Sequence, residues 1–156
     1  MSFTALIDEY AAGPSLLQKG IAGMSDAELR AAPVPGKWST HHVICHIADF
    51  EPVYADRMKR VLAENEPTLF GGDPDVFAAK LCYDQRDVAE ELQIIEYARR
   101  QMVRILRTLT PAEFQRKGIH SADGPLTLET LLRRITGHVP HHLKFIAEKR
   151  QSLAAK

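Results

Sequence analysis

Residues 127–152 read TLETLLRRITGHVPHHLKFIAEKRQS, and their apolar side chains recur at helical spacing. At 100° per residue these side chains form one continuous stripe. Its members are Leu128, Leu131, Leu132, Ile135, Val139, Phe145 and Ile146. Thr127 is a residue type that caps helix N-termini. The pattern therefore predicts a long amphipathic helix from about residue 128 to residue 152.

Three more segments have the same periodicity, at roughly residues 3–22, 39–64 and 85–109. Strict apolar and polar alternation is absent apart from a weak possibility near Ile119, and residues 116–125 are predicted to be a polar loop. Ser25 with Glu28, and Thr110 with Glu113, have the spacing of capping boxes that open short helical turns. The long connection after residue 64 favours a crossover over a tight turn. The chain is predicted to be all-α, a four-helix bundle with short extra helical turns in its connections.

The composition narrows the classes of partner. The 156 residues suit one domain spanning 1–156, and 20 basic residues balance 20 acidic ones, with a pI near 7.1. Without a net positive field, binding to nucleic acid or to a membrane surface is not expected. No apolar run approaches the ~20 residues of a membrane span and no leader pattern is evident, so a cytoplasmic protein is expected. Cys45 and Cys82 match no metal-binding spacing and are expected to be reduced thiols.

Three of the seven histidines lie on predicted apolar faces. His138 and His142 are four residues apart within the stripe of the last helix, so their rings share one face. His46 lies at the edge of the inward face of the second long helix, whereas His41 points away from it. One buried histidine is usually hydrogen-bonded to a carbonyl or a carboxylate, but three with few acids nearby are most simply satisfied by a cation.

Four motifs together resemble the DinB superfamily, nearest its YfiT-like branch. They are PGKWS at 35–39, HIADFE at 46–51, Arg57-Met58, and GHVPHH at 137–142. The resemblance implies a bundle in up-down-down-up order, usually a homodimer, with three histidines binding a divalent metal such as zinc or nickel. By that resemblance His46, His138 and His142 are the ligands. Pro52 and Pro140 depart from the usual pattern, and either can twist its helix enough to exchange His142 for His141.

Family members include thiol S-transferases that use low-molecular-weight thiols such as bacillithiol, a mycothiol-dependent isomerase, and proteins described only as metal-dependent hydrolases. An ion held by three neutral imidazoles keeps an open position, lowers the pKa of a bound water to roughly 7 and deprotonates a bound thiol. We therefore expect a metal-dependent enzyme with a small-molecule substrate, either a thiol-dependent S-transferase or a hydrolase. The alternative is a non-catalytic bundle in which the ion is structural.

Two polar residues on the second helix are candidate catalytic residues. Asp49, one turn beyond His46, is a candidate carboxylate partner or general base, or else an ordinary surface acid. Arg57 lies eleven residues beyond His46 and within about 20° of the same face. It is a candidate to bind an anionic part of the substrate, or else it pairs with an acid on a neighbouring helix. Tyr54 and Phe50 are expected to line the pocket.

Two further positions are expected to stabilise the bundle. Arg99 interrupts an apolar row of the third long helix, and we expect it to form a buried or interfacial salt bridge, with Glu51 as the candidate partner. Trp38 precedes the N-cap Ser39 and is expected to pack on Val43 as a hydrophobic staple.

Overall fold

A computed structural model describes residues 2–155, so Met1 and Lys156 of the expected domain lie outside the described part. Four long helices form a bundle and two short helices lie in its connections. In chain order they are α1 (Phe3–Ile21), α2 (Asp26–Arg30), α3 (Thr40–Ala63), α4 (Pro74–Lys80), α5 (Val88–Leu106) and α6 (Leu128–Ala154). The predicted all-α four-helix bundle is confirmed. Within residues 2–155, no helix is both long and apolar enough to cross a membrane.

The predicted caps fix where these helices begin. Ser39 Oγ accepts from the backbone amide of His42, and Thr127 Oγ1 accepts from that of Thr130. Ser25 and Glu28 form the reciprocal capping box that opens α2. Each cap satisfies a backbone donor that has no partner inside its helix.

Contacts along the bundle show that α3 and α5 run in the same direction. His41, in the first turn of α3, has Nε2 2.8 Å from the carbonyl oxygen of Arg86, which lies just before α5. Further along both helices, Lys59 Nζ donates to Gln101 Oε1 at 2.6 Å. Two parallel neighbours need a long connection, which residues 64–87 provide.

Helices α1 and α6 are also parallel to each other and run opposite to α3. Arg150 near the end of α6 donates to the carbonyl of Ala22, just after α1, at 2.9 Å. The carbonyl of Arg116 accepts from the amide of Leu128, where α6 begins, at 2.8 Å. The side chain of Arg116 donates to the carbonyl of Val61, near the end of α3, also at 2.8 Å. The order is therefore up-down-down-up, as predicted.

The expectation of a polar loop at residues 116–125 was wrong. Strands β2 (Lys117–His120) and β3 (Gly124–Thr127) form an antiparallel hairpin there, and β1 (Thr68–Leu69) pairs in parallel with β2. Strands of two to four residues are too short for alternation to stand out from a loop. Gly118 permits this pairing, because a Cβ there would lie 2.9 Å from the Leu69 side chain and the Pro67 carbonyl.

A buried polar layer joins all four long helices at mid-height. Arg99 of α5 donates from Nε to Glu51 of α3 at 3.0 Å, from Nη1 to the Tyr10 carbonyl of α1 at 2.8 Å, and from Nη2 to the Ile135 carbonyl of α6 at 3.0 Å. The Tyr10 hydroxyl donates to the other Glu51 oxygen at 2.7 Å. The predicted Arg99–Glu51 salt bridge is thus confirmed. Gly13 makes room for it, since a Cβ there would lie 1.8 Å from Arg99 Nη1.

Apolar side chains pack on both sides of this layer. The larger cluster contains Leu6, Met58 and Leu131 and lies toward the hairpin. The smaller cluster contains Val43, Ile47 and Val139, with Trp38 packed against it as the staple prediction expected. The smaller cluster forms the floor beneath the candidate site.

Candidate metal centre

The three predicted histidines converge where α3 and α6 face each other. His46 lies in the second turn of α3, and His138 and His142 occupy successive turns of α6. His138 Nε2 is 2.9 Å from His46 Nε2 and 3.0 Å from His142 Nε2. The structure therefore brings together all three histidines that the sequence singled out.

Burial keeps these imidazoles neutral. It lowers the pKa of His46 to about 4, and together with the nearby histidines it lowers that of His138 to about 2 and that of His142 to about 3. The Nδ1 atoms of all three are buried without a hydrogen-bond partner. Neutral imidazole is the form that binds a metal ion.

The geometry of this donor set fits a divalent ion. With metal–nitrogen distances of about 2.0–2.1 Å, tetrahedral ligands stand about 3.3 Å apart. The three ligand atoms here lie within 4.8 Å of one another, and among residues 2–155 no fourth histidine, cysteine or acid joins them. Imidazole nitrogens suit zinc, nickel, copper and iron. Such a set leaves a coordination position open.

The exchange of His142 for His141 does not occur. Helix α3 continues through Pro52 and α6 through Pro140, so neither proline breaks the helical register. His141 is exposed, and its ring packs edge-on against His142 at 5.2 Å and Phe145 at 5.0 Å.

Asp49 lies one turn beyond His46, but its carboxylate is engaged elsewhere. Oδ2 accepts from the Tyr83 hydroxyl at 2.7 Å, and Oδ1 accepts from Arg86 at 2.8 Å. Arg86 in turn pairs with Glu91 of α5. The carboxylate still contributes its charge to His46, whose pKa it raises against the larger effect of burial. The observed contacts connect Asp49 to the start of α5, and none of them reaches a ligand nitrogen.

The structure does not bring Arg57 to the histidines. Eleven residues of helix separate it from His46, a rise of roughly 16 Å. Its guanidinium donates twice to the carbonyl of Phe70 and lies 4.9 Å from the Tyr54 ring centroid. Arg57 therefore fastens the connection after α3, and the expected pairing with an acid is replaced by a backbone carbonyl. Tyr54 accompanies it, so neither side chain lines the histidine site.

Aromatic rings shield the histidines instead. The Phe50 ring, as expected, lies beside the site, tilted against the His46 ring at 4.8 Å and against the Phe77 ring of α4 at 5.3 Å. Trp38 lies 5.4 Å from the His46 ring. The residue predicted only as a staple is therefore also a wall of the site.

A cavity of about 250 Å³ opens beside His142. Its polar lining residues are Lys37, Asp75 and Lys149, and Trp38 and Phe145 supply its aromatic faces. The sequence reasoning missed these three charged residues. The position of Lys149 was predictable from the sequence, because it lies seven residues after His142 and eleven after His138. At 100° per residue it is within about 20° of each of them on the helix. Lys37 and Asp75 come from connections and carried no periodic signal.

Comparisons with known proteins show which family the chain resembles. Residues 9–146 match the model of the DinB superfamily. YfiT of Bacillus subtilis is 27% identical over 137 residues, covering 86% of this chain and 76% of its own. A Bacillus pumilus protein is 28% identical over 145 residues, covering 92% and 82%. Both are described as probable metal-dependent hydrolases, which together with the histidine cluster fits a metal-dependent enzyme.

Solved structures share the fold. YfiT of Bacillus subtilis, with an unusual four-helix bundle topology, superposes with a TM-score of 0.91 at 24% identity, covering 99% of this chain and 90% of its own. The mycothiol-dependent maleylpyruvate isomerase superposes with a TM-score of 0.71 at 13% identity, covering 92% of this chain and 60% of its own. By its matching residues, its bundle order and its histidine triad, the chain belongs to the DinB superfamily, in the YfiT-like branch.

Proposed function

We propose that this protein is a metal-dependent enzyme that activates water to hydrolyse a small molecule. The observation that carries the proposal is the convergence of the Nε2 atoms of three neutral histidines beside a cavity, with no fourth protein ligand among residues 2–155. A structural ion needs closed protein coordination, whereas a catalytic ion keeps an open position facing a pocket.

His46, His138 and His142 would hold the ion, with zinc or nickel as the expected metals. When bound, such an ion lowers the pKa of a coordinated water to about 7 and polarises a carbonyl or phosphoryl oxygen. Trp38 and Phe50 pack against the His46 ring and keep bulk water from that side. Asp75 is the carboxylate in the cavity wall, so we assign it the acceptance of the water proton. Asp49 would act through its charge on His46, as a positioning residue.

Thiol transfer is the second candidate function. An all-imidazole set readily accepts a soft thiolate as a further ligand. The two cysteines are a buried Cys45 and an exposed Cys82, and neither joins the histidine cluster, so a reacting thiol would come with a co-substrate. The fold shared with a mycothiol-dependent isomerase is compatible with such a co-substrate.

Metal analysis and cobalt substitution test the proposal. The purified protein is expected to contain about one divalent ion per chain, and Ala at His46, His138 or His142 should reduce the content at least tenfold. His141→Ala is the matched control, because His141 is the adjacent exposed imidazole and should retain the metal. Equal metal content in all four variants would place the site elsewhere.

The visible spectrum of the cobalt-loaded protein separates the two chemistries from a structural ion. A hydroxamate should perturb the spectrum if an open position exists, and a small thiol should do so strongly if thiolate binding is the function. Hydrolysis of a panel of small esters and amides, lost in His138→Ala and reduced in Asp75→Asn, would support the first candidate. A spectrum that no added ligand changes would overturn both the hydrolysis and the thiol-transfer proposals and would indicate a structural ion.

A further inference from the structure

Lys149 is a buried cation without an acidic partner. It is 3% exposed, and its ammonium donates only to the carbonyl of Phe145, one turn back in its own helix, at 3.4 Å. That distance is longer than a good hydrogen bond. By contrast, Arg99 pairs with Glu51 at 2.9 Å and Arg57 donates twice to one carbonyl. A buried charge is costly unless it is paired, so the burial of the Lys149 ammonium without a neighbouring acid carries a free-energy cost.

Lys149 is one of the residues that line the cavity beside His142. Lys37 also lines this cavity, and its ammonium lies 5.8 Å from the Phe145 ring centroid. Within the described residues 2–155, neither lysine forms an ion pair with any carboxylate. Two cations thus face a space whose acid, Asp75, pairs with neither of them.

The groups around Lys149 do not neutralise it. Burial lowers the pKa of its ammonium, and the nearby Lys37 lowers it further, while Glu148 on the same helix opposes them. Both effects penalise the charged form in the free protein. An anion placed between the two lysines would reverse that penalty.

We propose that this cavity is the anion subsite of the enzyme, and that the substrate is a small carboxylate with an apolar body. Lys149, assisted by Lys37, would bind the carboxylate, and the rings of Trp38 and Phe145 would contact the apolar part. His142 forms part of the same wall, so a substrate bound here presents its other end to the histidine triad. This inference rests on the proposed function and deepens it by naming the substrate class.

Trp38 provides the readout, because it is the one tryptophan of the sequence and lines the cavity. Zinc-loaded protein is titrated with benzoate and with benzamide, which have nearly the same shape and differ in charge. Benzoate is expected to change the Trp38 fluorescence at a concentration about tenfold lower than benzamide, as a charge-assisted contact to a buried ammonium requires.

Variants assign the effect to the two lysines. Lys149→Met keeps most of the side-chain length without the charge and should weaken benzoate about tenfold while leaving benzamide unchanged. Lys37→Met should weaken benzoate by about threefold, because Lys37 is exposed. Lys144→Met, an exposed lysine of the same helix, is the matched control and should bind benzoate as the unaltered protein does.

Metal content measured on each sample keeps the two proposals separate. Equal affinity for benzoate and benzamide, or unchanged benzoate affinity in Lys149→Met, overturns the anion subsite even when the metal is present. Lys149-dependent discrimination in a protein that takes up no divalent ion supports the subsite and overturns the metal-dependent function.

Discussion

Replacing Arg99 with Met removes the one cation of the buried polar layer and leaves Glu51, which is 0% exposed, without a counter-charge. The Tyr10 hydroxyl would be the remaining donor to that carboxylate. The carbonyls of Tyr10 and Ile135 would also lose their donors from Arg99. Breaking one side of a buried ion pair costs about 3–5 kcal/mol. The free energy of unfolding of a small domain is about 5–15 kcal/mol, so Arg99→Met should remove much of the stability.

The loss should depend on pH in a defined direction. Burial raises the pKa of Glu51, and Arg99 is the main influence that lowers it again. Without Arg99 the folded-state pKa rises further above the unfolded value. A carboxyl group whose pKa is higher in the folded state stabilises the fold fully at pH values below its unfolded-state pKa. This stabilisation is lost as the pH rises through the folded-state pKa. The free energy of unfolding of Arg99→Met should therefore be closer to that of the unaltered protein at pH 5 than at pH 8.

Urea unfolding followed by far-ultraviolet circular dichroism measures both effects. Arg100→Met is the control, since Arg100 lies over the exposed Tyr97 ring and should change stability by no more than about 0.5 kcal/mol. The double variant Arg99→Met with Glu51→Gln should recover part of the loss, because the buried charge is gone. A cost below about 1 kcal/mol for Arg99→Met at pH 8, or the same cost at both pH values, would show that Glu51 does not depend on Arg99 for its charge.

Three other predictions concern packing, metal and assembly. Gly13→Ala should destabilise by about 2 kcal/mol or more in urea unfolding, because its Cβ would meet Arg99 Nη1; an unchanged midpoint contradicts the close approach. Free metal at one hundred times its Kd should stabilise the protein by about 2.7 kcal/mol, a gain lost with chelator and absent in His138→Ala. We also propose a homodimer, so light scattering should give twice the 17.5 kDa chain mass. Tyr97 on α5 is 56% exposed. If α5 forms the interface, Tyr97→Glu should shift the measured mass toward that of one chain.

Periodicity made the long helices and the triad predictable. The four-residue spacing of His138 and His142 fixes their common face, and the stripe of α3 puts His46 on the inward side. The Arg99–Glu51 pair was predictable for the same reason, since a charge inside an apolar row requires a partner. In each case the periodicity of each helix by itself shows which face carries the residue.

Contacts made by the connections were not predictable in this way. Asp49 was expected to act on His46, but Arg86 and Tyr83, which take its carboxylate, come from residues between helices. Arg57 likewise binds the connection through the Phe70 carbonyl. Asp75 reaches the cavity only because the crossover folds back over the site. Such placements depend on tertiary packing, which has no period in the sequence.

The separation of the ligands along the chain determines the order in which the centre can assemble. His138 and His142 become a bidentate pair as soon as their helix forms, whereas His46 lies 92 residues earlier. At about 5–20 residues per second, the ribosome makes that intervening chain in roughly 5–20 s. During this interval a lone imidazole is all that the nascent chain offers a metal ion from this set. The three imidazoles are therefore available together only after α6 has been synthesised, so any binding of an ion by all three follows the synthesis of the helices.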